Sequence, residues 1–178
     1  MVEKKMETEM KYKGHEGRKD LAGEHVLGDL GQLVLLAVFL LVWILDSFVL
    51  KYSTFLSVYV SQSVRFVAAL ILILCSAHLA RSGLRIVFGE VREQPMVIRK
   101  GVFKIVRHPV YLGSILFYLA LWTTTLSLVS AVALIGIACF YDFLARYEEK
   151  LLVNKFGSNY EQYMREVPRW IPKLKSEN

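Results

Sequence analysis

The sequence predicts an all-α, polytopic membrane bundle of about four transmembrane helices, with cytoplasmic helices at the C-terminus. Three observations predict it. The hydrophobic residues, 54% of the 178, arrive in blocks rather than at the periods of about 2 or about 3.6 that a soluble domain shows. Val110 to Tyr141 is a run of 32 residues without a charged side chain, and Leu30 to Leu50 is interrupted only by Asp46. Such lengths suit a membrane, since crossing about 30 Å of hydrocarbon takes roughly 20 helical residues. This distribution excludes a soluble enzyme, a disordered chain and a disulfide scaffold. Cys75 and Cys139 both lie inside apolar blocks, and neither has Cys or His neighbours at zinc-ligand spacing, so no metal site is expected.

Residues 1–29 carry six basic and seven acidic side chains and no apolar block, and read as a polar, poorly ordered N-terminal tail. The remaining 30–178 form one membrane-embedded domain. Its first span is Leu30 to Leu50. The second, about Thr54 to Val87, contains Arg65 and continues out of the bilayer. As one helix the 32-residue run would be about 48 Å long, too long for one crossing. It must therefore fold back near Thr123-Thr124-Thr125-Leu126-Ser127, giving spans of about 109–124 and 128–149. Beyond these, 150–178 holds the C-terminal helices. The pattern continues helical through Lys155, Gly157 is a fitting stop, Ser158 with Glu161 forms a capping box for a second helix, and Pro168 ends that helix.

Four spans place residues 1–29, 81–108 and 146–178 on one side, and these hold 6, 7 and 7 Lys/Arg, 20 of the 22. The positive-inside rule puts that side, with both termini, in the cytoplasm. The basic charge reports topology and contact with anionic membrane lipid, so nucleic acid is not an expected partner. Of the charges elsewhere, Asp46 reads as an interfacial residue close to Lys51. In a rival, non-enzymatic scaffold or transport protein, Asp46 and Arg65 would be the working intramembrane charges.

Polar chemistry gathers in two cytoplasmic segments. In Arg107-His108-Pro109-Val110-Tyr111, Pro109 suits the first position of a helix and turns His108 away from helical geometry. His108 and Arg107 thus stand at a helix entrance whose backbone N–H groups favour an anion. Plain structural readings stand beside this: His108 as a cap, Tyr111 in the aromatic belt, Gly113 as a packing contact. The second segment begins at Arg146 and carries Glu148 and Glu149. The hairpin returns both segments to one membrane edge, so His108 and Glu148 frame a candidate pocket for a small zwitterion.

The motifs Gly101-x-Phe103-x-x-Val106-Arg107-His108-Pro109-x-Tyr111-x-Gly113, Glu148-Glu149-x-x-Leu152-x-x-x-Phe156-Gly157-x-x-Tyr160-x-x-Tyr163 and Val167-Pro168-Arg169-x-Ile171-Pro172 occur in this order around one uncharged hairpin. Over about Val97 to Pro172 the chain resembles the isoprenylcysteine carboxyl methyltransferase family and its prokaryotic relatives. The resemblance implies an integral membrane methyltransferase using S-adenosylmethionine, with a lipophilic acceptor entering from the bilayer. It implies Val97, Phe103, His108, Pro109, Val110, Tyr111 and Glu148 around the cofactor, and Arg107, Arg146 and Glu149 at the reacting groups. The two arginines would grip a substrate carboxylate bidentately. An isoprenylcysteine-like carboxylate is the implied acceptor, with a phospholipid amine or a small thiol as alternatives; Glu149 or His108 would take an amine's proton. The chain departs from the family pattern at Val102-Phe103, where many members have Pro-Tyr. It departs again at Leu144, where farnesylcysteine-specific enzymes have arginine. No G-x-G-x-x-G occurs, which excludes a soluble-type dinucleotide fold.

Overall fold

The computed structural model describes residues 26–89 and 96–172. The polar tail expected over 1–29 lies outside the described residues up to residue 25, and so does the end of the C-terminal segment from 173 onward. Among the described residues the elements are α1 (Val26–Ile44), α2 (Gln62–Phe88), α3 (Pro109–Thr125), α4 (Leu128–Phe156) and α5 (Ser158–Glu166), without strands. A π-helical turn, Leu45–Leu50, prolongs α1, and short 3-10 turns lie at Phe55–Val58 and Gly101–Lys104. Leu30–Leu50, α2 and α4 are long and apolar enough to cross a membrane. The fourth expected span, α3, is uncharged but has 17 residues, somewhat short of the roughly 20 that a full crossing takes.

The large side chains on the outside are apolar: Leu33, Val34 and Leu41 on α1, Phe66, Leu70 and Leu74 on α2, Val132 and Ile135 on α4 are all exposed. In lipid such residues supply no drive for helix association, and close approach of small residues with a few polar ties takes over. Ser76, Ala80 and Gly83 give α2 a small-residue face. A Cβ on Gly113 of α3 would lie 3.0 Å from the Ser76 carbonyl oxygen and 3.3 Å from the Ala80 nitrogen. Ser76 Oγ donates to the Gly113 carbonyl at 2.7 Å. Gly113 is thus a packing contact, as its plain reading has it. Phe39, Tyr118, Ile137 and Tyr141 fill the interior between α1, α3 and α4.

The hairpin breaks where the sequence requires it. Thr125 ends α3, Leu126 takes a left-handed conformation (φ +52°), and Ser127 caps α4 by accepting the Ser130 N–H at 3.0 Å. Asp46 is tied to this turn. It is buried: its carboxylate accepts from Ser53 N–H (3.2 Å), Ser53 Oγ (2.6 Å) and Ser127 Oγ (2.6 Å). The hydroxyl of Ser53 reaches it because the chain doubles back at Lys51, another left-handed residue, and that of Ser127 is delivered by the turn between α3 and α4. Arg65 donates to the backbone carbonyls of Val60 and Thr124. Both charges therefore fasten loops at the end of the bundle remote from His108.

One helix start and one cap differ from expectation. The second long helix starts at Gln62 rather than Thr54, because Ser61 caps it through the Val64 N–H and a 3-10 turn fills the preceding loop. The last long helix continues unbroken to Phe156 and stops at Gly157, as the pattern through Lys155 predicts, so residues 150–156 belong to α4. The Ser158–Glu161 capping box does not form. Gly157, at φ +55°, is the whole connection, so Ser158 is already helical and Tyr160 and Glu161 bond instead to the Gly157 carbonyl.

Asp46→Ala leaves two hydroxyls and an amide without their acceptor, and thermal unfolding in detergent is expected to show a loss of about 1–3 kcal/mol. Gly113→Val, which forces α2 and α3 apart, is expected to cost at least about 1–3 kcal/mol in the same assay.

Candidate functional site

His108 is the N-cap of α3, with Pro109 at the first helical position and no side chain capping the helix start. The tight turn at 125–128 sends α4 back to this edge. His108 Nε2 lies 3.2 Å from Glu149 Oε1, and Nδ1 lies 3.6 Å from Glu148 Oε2. Consecutive helical residues diverge by about 100°, and the imidazole reaches both carboxylates by standing in the groove between them. Tyr111, one turn on, lies parallel to the His108 ring at 5.6 Å and donates its hydroxyl to Glu148.

Glu149 is the centre of the charge network. It is 3% exposed and accepts from Arg107 Nε (2.9 Å), Arg169 Nε (3.0 Å) and Arg169 Nη2 (2.6 Å). Arg107 Nη1 also donates to the carbonyls of Met164 (2.7 Å) and Val167 (3.1 Å), and its N–H donates to Pro168. Arg169 Nη1 and Trp170 Nε1 both reach Asp142 Oδ1 at 3.0 Å, while Arg146 Nε reaches Oδ2 at 2.6 Å. Hydrogen bonding to Glu149 strengthens the hold of Arg169 on its proton. Burial pushes His108 below its ordinary value of 6.5, and its hydrogen bond to Glu149 only partly offsets this. A neutral ring carrying its proton on Nε2 donates to Glu149 and leaves Nδ1 an acceptor.

The structure brings Arg107, His108, Tyr111, Glu148 and Glu149 together, and separates the rest. Pro109 and Val110 pack on α2 at Gly83. Val97 packs on the Tyr160–Tyr163–Val167 cluster, and the Phe103 carbonyl accepts the Tyr163 hydroxyl at 2.7 Å, so both fix α5 under the site. Arg146 is held by Asp142 with its side chain 65% exposed. Sequence reasoning gave no role to Asp142, Arg169 or Trp170. Arg169 stands inside a quoted motif, and Asp142 precedes Glu149 by two helical turns, a spacing that places both carboxylates on one face.

Beside the cluster, within the apolar part of the bundle, is a cavity of about 320 Å³ lined by Gln32, Ser76, Ser114, Phe117, Tyr118 and Tyr141, among others. None of its lining residues is charged. Tyr141 joins it to the site, its ring 5.3 Å from that of Tyr111.

The phospholipid methyltransferase family matches residues 64–159, which takes in α2, the hairpin and the start of α5. Curated relatives include methanethiol S-methyltransferase of Crocosphaera subtropica, 35% identical over 100 residues (53% of this chain, 38% of that protein). Methanethiol S-methyltransferase 2 of Bradyrhizobium diazoefficiens is 39% identical over 75 residues (41% and 27%). Protein-S-isoprenylcysteine O-methyltransferase of Schizosaccharomyces pombe is 33% identical over 89 residues (49% and 37%). The matched part thus spans well under half the length of each relative. The likeness to isoprenylcysteine carboxyl methyltransferases read from the motifs is confirmed, alongside relatives that act on a thiol.

Arg169→Ala removes two of the hydrogen bonds that neutralise a buried carboxylate, and denaturation is expected to show a loss of about 3–5 kcal/mol. By NMR, His108 is expected to titrate below 6.5, and lower still in Glu149→Gln. The unfolded chain takes up that proton near its ordinary value and the folded chain only below it. This group's contribution to stability is therefore intact at neutral pH and declines as the pH falls through the window beneath 6.5.

Proposed function

The chain belongs to the phospholipid methyltransferase family, and from that premise we propose that it is an S-adenosylmethionine-dependent methyltransferase of a lipophilic acceptor at the cytoplasmic edge of a membrane. The observation that carries the proposal is the meeting of the uncapped start of α3 with Glu148 and Glu149 of α4, around His108. The residues fit the cofactor. Glu148, its side chain 19% exposed beside the buried Glu149, is placed to face an ammonium or sulfonium. The free end of α3 favours a carboxylate, and His108, Tyr111 and Trp170 offer aromatic faces. S-adenosylmethionine, when bound, supplies a methyl group on an electrophilic sulfonium. Arg107 and Arg169 keep Glu149 ionised and immobile, so that His108 and Glu148 are presented in one arrangement. The apolar cavity receives the lipophilic part of the acceptor, which enters from the bilayer. The cytoplasmic orientation of this edge and of both termini is supported by the 20 Lys/Arg gathered there.

The acceptor group we favour is a carboxylate, as in an isoprenylcysteine. It is already ionised at neutral pH and requires no general base, and Arg146, exposed although tied to Asp142, is the one of the two expected arginines not committed to Glu149. A second reading, a thiol acceptor, is favoured by a specific observation. The guanidinium groups of Arg107 and Arg169 are both committed to Glu149, and a buried leucine occupies position 144. A thiol would lose its proton to His108 Nδ1, with Glu148 alongside to stabilise the cation.

In lipid nanodiscs, saturable S-adenosylmethionine binding is expected for the wild type, with Glu148→Gln weaker by about tenfold, as for loss of one charge-assisted contact. Transfer of labelled methyl to a prenylated cysteine, an aminophospholipid and a small alkyl thiol, offered in parallel, discriminates the acceptors. Absence of binding by folded wild type contradicts the proposal.

A further inference from the structure

Asp142 lies outside the group of residues placed around the cofactor, yet it directs one of them. Two donors from consecutive residues of the C-terminal segment, Arg169 Nη1 and Trp170 Nε1, converge on its Oδ1 at 3.0 Å each. Their dependence on it differs. Arg169 is gripped independently by Glu149 through Nε and Nη2, and Pro168 is held by the Arg107 N–H. The backbone of the segment therefore stays in place without Asp142. The indole of Trp170 has its N–H aimed by Asp142, and its ring then stands 6.0 Å from that of His108 at 41°. His108 in turn lies flat against Tyr111.

We propose that Asp142 is a positioning residue: by holding the Trp170 indole N–H it fixes that ring against His108 and so sets the aromatic wall of the cofactor site. The proposal rests on the S-adenosylmethionine reading above. It separates two carboxylates on one helix face: Glu149 holds the segment, and Asp142 orients the side chain that the segment delivers.

The test uses the full chain in nanodiscs, labelled with 5-fluorotryptophan, with the three tryptophan ¹⁹F lines assigned through Trp170→Phe. S-adenosylhomocysteine, the unreactive product, is titrated in. In Asp142→Ala the Trp170 line is expected to move while those of Trp43 and Trp122 stay, and affinity falls about tenfold. Asp142→Asn, which keeps an acceptor oxygen, restores most of both. Trp170→Phe, which keeps a ring but loses the N–H, shows the same affinity loss, and Asp142→Ala adds nothing in that background. Unchanged affinity in Asp142→Ala or in Trp170→Phe, or losses that multiply in the double variant, overturns the proposal and leaves the cofactor reading standing. If Asp142→Ala does not fold, Trp170→Phe alone decides by the same criterion. No saturable binding by wild type overturns both.

Discussion

The carboxylate of Glu149 is withdrawn from water at the point where three separate stretches of chain meet, and the arrangement around it follows from the need to neutralise it. Taking an ionised carboxylate out of water costs several kcal/mol unless well-aligned partners replace the solvent. Arg107, arriving just before α3, and Arg169, arriving after α5, supply those partners together with His108. Each arginine brings its segment with it. Arg107 also holds the carbonyls of Met164 and Val167 at the end of α5, and Arg169 also reaches Asp142. The cluster is thus an electrostatic knot, and the orientation of His108 towards Glu148 is a consequence of it.

The opposite end of the hairpin is fastened differently. There a single buried carboxylate, Asp46, is satisfied by serine hydroxyls and an amide, without an arginine among the partners described. Between the two ends the helices associate through small-residue contact, as at Gly113 against Ser76 and Ala80. Polar ties at both ends and close backbone packing between them are what remains when lipid removes the hydrophobic drive for helix association. The uncharged cavity lies in this middle zone, next to Tyr141, so a lipophilic molecule could lie beside the charged edge without disturbing it.

Much of this was legible in the sequence. The hairpin break near Thr125 to Ser127 follows from helix length alone, and the approach of His108 to Glu148 follows from that break. The fate of Asp46 was not legible, because burial depends on Ser53 and Ser127 being delivered from two other loops. The same holds for Arg107: its identity suggested a free carboxylate grip, whereas folding places Glu149 in front of it. Asp142 looked like the end of an uncharged run until Arg169 and Trp170 arrived from almost thirty residues away. Local signals name helix ends and caps; which charges neutralise one another is decided by tertiary contact. The capping box at Ser158 fails for a local reason instead, since Gly157 alone makes the connection between α4 and α5 and Ser158 is already helical.

The membrane methyltransferase account requires that the cofactor meet the chain where α3, α4 and the C-terminal segment converge. Ultraviolet cross-linking of methyl-labelled S-adenosylmethionine in nanodiscs, with the adduct mapped by peptide mass spectrometry, tests this most directly. The account predicts label, competed by S-adenosylhomocysteine, on peptides containing His108–Tyr111 or Trp170. Label that resists competition, or that falls on the Asp46–Ser127 end of the bundle, would contradict it.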